Sequence, residues 1–151
     1  MARAGGAFTW QGETVNGGLA AGLALHRPLG PFAARLDGSL RDADAIDTPR
    51  GVLANTDIRT ENASFGLGLI RPWGRAGIAG SLYNSAYGIP PDPLGGHPGG
   101  VDIDLDRQHL DARAEWVTRF SQLQRIEFRH AFSRYRHGEF EKSGALGLEY
   151  G

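Results

Sequence analysis

Residues 63–105, ASFGLGLIRPWGRAGIAGSLYNSAYGIPPDPLGGHPGGVDIDL, decide the fold. At the start of this stretch, apolar side chains such as Phe65 and Leu67 alternate with small or polar ones, and this period of two predicts a β-strand. Proline and glycine in residues 71–74 favour a tight turn, after which a second strand returns antiparallel to the first. Residues 88–100 contain four prolines and five glycines and therefore predict a long loop. The repeating unit is strand, tight turn, strand, long loop.

The same unit accounts for the rest of the chain. Period-two alternation predicts eight strands, at residues 7–14, 19–26, 32–41, 58–70, 75–87, 101–117, 125–136 and 144–150. Short turns alternate with long loops between them. The short turns are predicted at residues 27–30, 71–74 and 120–124, and the long loops at residues 43–57, 88–100 and 137–143.

The strand predicted at residues 101–117 changes the parity of its apolar side chains. Val101 and the apolar residues that follow it are odd-numbered, whereas Leu110 and the apolar residues after it are even-numbered. One extra residue in a strand moves all later side chains to the other face of the sheet. We therefore expect a β-bulge between Asp106 and His109.

Three features favour a membrane β-barrel over a soluble sandwich. The predicted strands, of about 9–13 residues, are longer than the about 5–6 residues usual in globular proteins and close to the about 9–11 that span a bilayer. All short turns fall at one end of the sheet and all long loops at the other, as in outer-membrane barrels. The face opposite the leucines is charged, as a hydrated interior requires. Its charged residues are Arg35, Asp37, Arg41, Asp111, Arg113, Glu115, Glu127 and Arg129.

We therefore predict an all-β fold, an antiparallel up-and-down meander of about eight long strands that forms a segment of a transmembrane β-barrel. The leucine- and phenylalanine-bearing face is expected to meet lipid. Aromatic residues near the strand ends are expected to lie in the interfacial girdles of such a barrel. These residues are Trp73, Tyr83, Tyr87, Trp116 and Phe120.

Composition excludes several classes of protein. Sixteen basic and seventeen acidic residues leave a net charge of −1, which gives no electrostatic basis for binding nucleic acid. The absence of cysteine excludes disulfides and thiolate sites. The sequence contains no apolar run long enough for a membrane helix and begins without the apolar stretch of a signal peptide. We expect either a cytoplasmic protein or a gene whose start is missing.

The chain also resembles a known family. The Arg27-Pro28-Leu29-Gly30 turn, the Tyr87-Gly88-Ile89-Pro90 element and the strand at Val101–Trp116 are similar to the N-terminal part of the barrel of TonB-dependent outer-membrane receptors, with most likeness to the metal-uptake subgroup. The resemblance implies a 22-stranded barrel filled by an N-terminal plug and driven by the TonB complex. Residues 1–151 would then be a partial barrel domain without its plug, a fragment of a receptor in the bacterial outer membrane.

Candidate ligand-binding residues lie around the 88–100 loop. The resemblance implies that this loop faces the ligand, but relatives in the metal subgroup usually carry a run of histidines there, and this chain has only His97, with Asp92 nearby. His97 is a candidate metal ligand or a plain loop residue. Asp102 and Asp104 belong to a row of carboxylates that either draws cations toward the interior or forms a solvated face. They do not form a calcium loop, because Arg107 and Arg113 occupy positions that need glycine and glutamate.

The sequence contains no catalytic motif: the serines lack a nucleophile elbow, and neither a zinc-protease nor a phosphate-binding motif is present. We expect no enzyme activity, no catalytic residue and no cofactor. The predicted function is transport of a metal ion, metal chelate or siderophore, with outer-membrane lipid, the ligand and, through the missing plug, the TonB complex as partners. Two alternatives remain open. One is a stand-alone eight-stranded outer-membrane barrel with a structural or adhesive role, and the other is a soluble lipocalin-like binding barrel with its apolar residues inside.

Overall fold

The computed structural model describes residues 3–92, 94–120, 123–142 and 149–150. Its long strands follow the predicted alternation, and the predicted all-β antiparallel meander is confirmed. The strands are β1 (Gly5–Gly12), β2 (Leu19–Leu29), β3 (Phe32–Ala43), β4 (Ile46–Thr48), β5 (Gly51–Leu53), β6 (Ile58–Arg71), β7 (Gly74–Ile89), β8 (Val101–Phe120), β9 (Leu123–Glu141) and β10 (Glu149–Tyr150).

Eight of these strands form one sheet, in the order β1-β2-β3-β6-β7-β8-β9-β10. Each strand pairs antiparallel with its neighbour along the chain, except that the small β4–β5 hairpin is inserted between β3 and β6. Among the described residues β1 pairs only with β2, and β10 pairs only with β9. The described sheet is thus open at both edges, and its closure into a barrel stays a prediction.

The two ends of the sheet differ as predicted. At the turn end, strand partners are separated by two residues: Leu29 pairs with Phe32, Arg71 with Gly74, and Phe120 with Leu123. The first of these turns places Gly30 at φ +65°, a backbone conformation that glycine adopts without the steric penalty of a Cβ atom. At the opposite end, which we call the loop end, the connections are long. They comprise residues 13–18, 44–57, 90–100 and 142–148.

The predicted β-bulge in β8 is wrong. The pairing of β8 with both neighbours runs without a break from Val101 to Trp116, and its irregularity lies between Val117 and Phe120. Because the register is continuous, Val101 lies on the same face of the sheet as Arg113, and Asp104 lies on the same face as Leu110. The change in parity therefore reflects a change in the polarity of each face along the strand.

Two loop predictions also need correction. Residues 137–143 were expected to form a loop, but β9 continues to Glu141, because Glu141 still has a pairing partner in Val101. Residues 43–57 contain the β4–β5 hairpin, in which the Thr48 hydroxyl donates to the Gly51 carbonyl at 2.6 Å. Of the predicted eighth strand, Glu149 and Tyr150 are in β10, and residues 144–148 lie outside the described residues.

The sheet has two chemically different faces. The apolar face carries large hydrophobic side chains that cross the sheet in directly paired rows, such as Leu25, Leu36 and Phe65. The polar face carries Arg35, Ser64 and their partners. In β6, the side chains of the polar face are half-buried from Thr60 to Gly68, whereas the intervening side chains from Glu61 to Leu67 are exposed. In β6 the polar face is thus the more shielded of the two, whereas in β9 both faces are exposed from Leu123 to Arg136.

The buried core of the described residues is small and lies at the loop end. Ala43, Val101 and Ile103 are buried there on the polar face. Along the middle of the sheet, the apolar face is open, with Leu67 56% exposed and Phe65 44% exposed. No helix among the described residues has the length and apolarity to cross a bilayer.

Of the residues predicted to form aromatic girdles, Trp73 and Trp116 lie together at the turn end, and the girdle itself stays a prediction. The rings of Trp73 and Trp116 stack there, with centroids 6.2 Å apart and planes inclined by 16°. Tyr83 and Tyr87 instead lie on the polar face, because they share the parity of Arg75 in β7. For Phe120, the described residues include the backbone but not the side chain.

Candidate functional site

The loops at the loop end are joined to one another by backbone hydrogen bonds. The amides of Asp44 and Asp47 donate to the carbonyls of Asn16 and Val15 at 3.0 and 2.8 Å, which fastens the β4–β5 segment to the loop at residues 13–18. The carboxylate of Glu13 accepts from the Asn16 amide at 3.1 Å and also pairs with Arg41. These contacts give the loop end a defined shape.

Asn55 is the central residue of this arrangement. Its side-chain amide donates to the carbonyls of Ile89 and Val101 at 2.8 and 3.0 Å, and its side-chain oxygen accepts from Lys142 Nζ at 2.6 Å. Asn55 is only 8% exposed and has φ +57°, a left-handed conformation that asparagine tolerates better than most residues. One buried side chain therefore holds three loop segments together.

Two glycines allow the backbones to approach Asn55. A Cβ atom on Gly88 would lie 2.6 Å from the Asn55 side chain and 2.7 Å from its backbone oxygen. Gly100 has φ +82°, and a Cβ atom on it would lie 2.7 Å from the Ile89 carbonyl. The glycine of the Tyr87-Gly88-Ile89-Pro90 element is thus required by close packing against Asn55.

We expect Gly88→Ala to lower the free energy of unfolding by about 1–3 kcal/mol, the usual effect of forcing a methyl group into a filled site. Gly68→Ala is a matched control within β6, because the nearest atoms to a Cβ there are 4.0 Å away. Denaturant unfolding of both variants measures the difference. Equal stabilities would show that the contact between Gly88 and Asn55 is not tightly packed.

The structure brings together two of the four sequence-predicted site residues. The Asp92 amide donates to the His97 carbonyl at 3.0 Å, so the two residues close one turn of the loop. The Asp92 carboxylate accepts from the amides of Leu94 and Gly95 at 3.0 and 2.9 Å. His97 Nδ1 lies 2.9 Å from the Glu141 carboxylate, which connects the loop to the end of β9.

The other two predicted residues lie elsewhere. Asp102 and Asp104 share the parity of Leu110, so they lie on the apolar face at the loop end rather than on the polar face. Asp102 is 3.2 Å from Lys142 Nζ. The expectation that this row of carboxylates draws cations toward the interior depended on the β-bulge, which would have turned the row toward the polar face.

The described residues do not assemble a metal site. Within residues 3–92, 94–120 and 123–142, no three histidine, aspartate or glutamate side chains converge as a metal ion requires. His97 as a metal ligand stays a prediction, as do the ligand-binding roles of Asp92, Asp102 and Asp104.

The polar face carries a chain of ion pairs near the turn end. Arg75 Nη2 lies 2.6 Å from Glu115, Arg125 pairs with Glu115 at 3.6 Å and with Glu127 at 3.0 Å, and Arg129 pairs with Glu127 at 3.3 Å. The arginine side chains are more than half exposed, so each pair contributes little to stability. They give this part of the face a charged surface.

A second polar contact on this face lies nearer the loop end. The guanidinium of Arg107 lies 5.9 Å from the centroid of the Tyr83 ring, within the range of a cation–π contact. Direct pairing of Tyr83 with Arg107 across β7 and β8 produces this contact. The polar face thus remains polar up to the small buried core.

Sequence reasoning missed Asn55 and Lys142. Asn55 lies within a segment that the sequence predicts only as a loop, and the partners of its side chain are 34 to 87 residues away along the chain. The one local signal is its residue type, because asparagine is enriched among residues with positive φ. Contacts between distant loops leave no periodic pattern in the sequence.

Comparison with known proteins gives no identification, because neither a family model nor a curated protein matches the chain.

Proposed function

We propose that this chain forms part of the wall of a TonB-dependent receptor in the bacterial outer membrane, which takes up a metal ion, metal chelate or siderophore. The observation that carries the membrane assignment is the exposed band of large apolar side chains across one face of the sheet. Soluble proteins rarely expose a continuous apolar surface of this kind unless something covers it. The acyl chains of a bilayer are the covering that fits a band across many strands.

The height of the band suits a bilayer. Along β3 the band extends from Phe32 to Leu40, which at about 3.4 Å per residue is roughly 27 Å of strand. A strand tilted by about 40° would then span roughly 20 Å, near the band of about 25 Å on transmembrane barrels. The band crosses β2, β3, β6, β7 and β8. Its residues are directly paired from strand to strand, so they lie at the same height along the sheet.

Both limits of the band support the same assignment. At the turn end the stacked pair of Trp73 and Trp116 occupies the level where aromatic residues anchor membrane strands. At the loop end, Glu61 and Asp106 lie on the same face in one directly paired row with Leu40, so charged residues replace leucine in β6 and β8 at the level where the band ends in β3. A membrane strand that continues beyond the hydrocarbon core would likewise change from apolar to charged side chains on its lipid-facing side.

The polar face would line the interior of the barrel. Its exposed arginines and carboxylates suit a hydrated lumen or the polar surface of a plug. Transport, the TonB complex and the class of ligand come into the proposal only from the resemblance of the Tyr87-Gly88-Ile89-Pro90 element and the strands around it. His97 and Asp92 then lie in the loop proposed to meet the ligand.

A soluble lipocalin-like barrel would need the apolar side chains inside, and the exposure of Leu67 and Phe65 disfavours it. A stand-alone eight-stranded outer-membrane barrel shares the lipid-facing band with the receptor. The two differ in their requirement for the TonB complex, so loss of ligand uptake in cells without that complex would favour the receptor.

Single-cysteine labelling in outer membranes tests the membrane assignment, because the chain has no native cysteine. In the Leu67→Cys variant, the thiol should react with a membrane-soluble maleimide and resist a charged, water-soluble one. In the Ser64→Cys variant, on the opposite face of β6, the charged reagent should react once the lumen is accessible. Labelling is followed by mass spectrometry of the intact protein.

The proposal makes a second demand on the same experiment. The Glu61→Cys variant lies on the same face and strand as Leu67 but three rows nearer the loop end, at the level of Leu40 where the apolar band ends, so the charged reagent should label it from outside the cell. Equal reaction of the Leu67→Cys and Glu61→Cys variants with the charged reagent would contradict the membrane assignment.

A further inference from the structure

At the loop end, charged and polar residues replace the apolar ones on the apolar face of β6 to β9, whereas β2 and β3 still carry Leu19 and Leu40 at the same level. Directly paired residues form a row across the sheet that contains Glu61, Asn84, Asp106 and Arg136. The next row contains Asp42, Arg59 and Asp104. We call these two rows the charged belt. It lies on the same face as the apolar band and continues it without a change of register.

The charged belt contains a depression of about 400 Å³. Arg59 and Arg136 line it, together with the carboxylates of Glu61, Asp104 and Asp106. The Phe140 ring forms another part of its lining and lies over Gly138, where a Cβ atom would be 2.8 Å from the ring. Cationic, anionic and aromatic groups therefore surround one shallow cavity.

The side chains in this depression carry charges of both signs. Arg59 is tied to Glu61 at 2.7 Å yet remains 67% exposed, so its guanidinium is held in position and still accessible. After the amide of Asn84 is oriented to satisfy its neighbours, its nitrogen lies 2.8 Å from the Asp106 carboxylate. Guanidinium groups bind phosphate in a forked geometry, and carboxylates accept from hydroxyl or amine donors.

We propose that the depression in the charged belt binds the headgroup of an outer-leaflet lipid that carries both phosphate and hydroxyl or amine donors. This inference rests on the proposed membrane function. The level of the belt supports the choice of occupant, since a headgroup must lie where the hydrocarbon ends, and in β6 and β7 the belt begins directly after the last apolar row, that of Ala63 and Leu82. A phosphate would lie against Arg59 on β6 or Arg136 on β9, which are three strands apart, and the donors of the headgroup would lie against Asp104 and Asp106 on β8 between them.

Binding of lipid A, a phosphorylated glucosamine lipid, by the intact protein in phosphatidylcholine nanodiscs tests the proposal. Phosphatidylcholine serves as the background lipid because its headgroup has a phosphate but no N–H or O–H donor. The double variant Arg59→Gln/Arg136→Gln should bind lipid A about tenfold more weakly than the native protein, as expected from losing charged hydrogen bonds. Native mass spectrometry of the nanodisc contents measures the bound lipid.

The matched control is the double variant Arg113→Gln/Arg129→Gln. These arginines lie on the polar face of β8 and β9, with side chains 67% and 70% exposed, so the change of net charge is the same. The control should bind lipid A as the native protein does. Equal binding by the two double variants would overturn the headgroup site.

Two further measurements separate the possible failures. Inorganic phosphate at millimolar concentration should not displace lipid A, and displacement would show a site for a free anion instead. The single variant Arg136→Gln, which keeps the Arg59–Glu61 pair, should lose part of the affinity.

If the Leu67→Cys variant is shielded by lipid but the Arg59→Gln/Arg136→Gln protein binds lipid A normally, this inference fails and the proposed function stands. If the Leu67→Cys variant is not shielded, both fail.

Discussion

Replacing Leu67 by arginine is expected to destabilise the protein in a bilayer by about 2–4 kcal/mol, the effect of a cationic side chain at the lipid-facing midplane of a barrel. Leu67 lies near the middle of the apolar band, is 56% exposed, and pairs directly with Ala34 and Ile78. With lipid around it, the guanidinium would lie far from both water and a counter-charge. Guanidinium-induced unfolding of the protein in lipid vesicles measures the change.

Ser64→Arg is the matched control for this prediction. Ser64 lies in the same strand on the polar face, where its hydroxyl is 3.3 Å from the Asp37 carboxylate, so an arginine there meets an anion and water. We expect its effect on stability to stay within about 1 kcal/mol, as for most surface substitutions. If Leu67→Arg were as mild as Ser64→Arg, Leu67 would be exposed to water and the proposed bilayer contact would be wrong.

Replacing Asn55 by alanine is expected to release the loops at the loop end. The change removes the donors to the Ile89 and Val101 carbonyls and the acceptor for Lys142, and it places an alanine in a left-handed conformation. Leaving buried polar groups unpaired costs about 1–3 kcal/mol for each group. We expect the free energy of local opening to fall by about 2–4 kcal/mol.

Hydrogen exchange of the loop amides measures this opening. The amides of Gly88, Gly100 and Lys142 donate to loop carbonyls at 3.0, 3.1 and 3.2 Å, and their protection should fall together in Asn55→Ala. Amides within β6 and β7 near the turn end should keep their protection from exchange. Concerted loss is the critical result, because independent loops would lose protection one at a time.

The Asn55→Gly variant separates the two contributions. Glycine adopts the left-handed conformation without a Cβ penalty but makes no side-chain hydrogen bond, so it should lie about 1 kcal/mol closer to the native protein than alanine does. Asn62→Ala, within β6 on the polar face, controls for the loss of an asparagine elsewhere. Native-like protection in both Asn55 variants would show that Asn55 does not join the loops.

The sequence was sufficient to predict the order of strands and turns, because those signals are local. Alternating side chains at Phe65 and Leu67 indicate a strand without reference to any other part of the chain. A proline and glycine between two such runs, as in residues 71–74, indicate where the chain reverses. The alternation of short turns with long loops then determines which connections share an end of the sheet.

The tertiary structure decided how the faces are arranged near the loop end. From the sequence, the change of parity between Val101 and Leu110 could be explained by a β-bulge or by faces that exchange polarity. Only the pairing of β8 with β7 and β9 distinguishes them, and it favours the exchange of polarity. The same pairing extends β9 to Glu141 through residues whose own composition favours a loop.

The candidate sites likewise divide into those that the sequence predicts and those that only the structure reveals. Sequence alone identified the 88–100 loop and residues Asp92 and His97 within it, because proline, glycine and histidine stand out by type. The network around Asn55 and the charged belt depend on the structure, since each joins residues that are far apart in the chain. Hydrogen bonds and charge pairs form between side chains that the sheet register brings together, and register depends on all the strands at once.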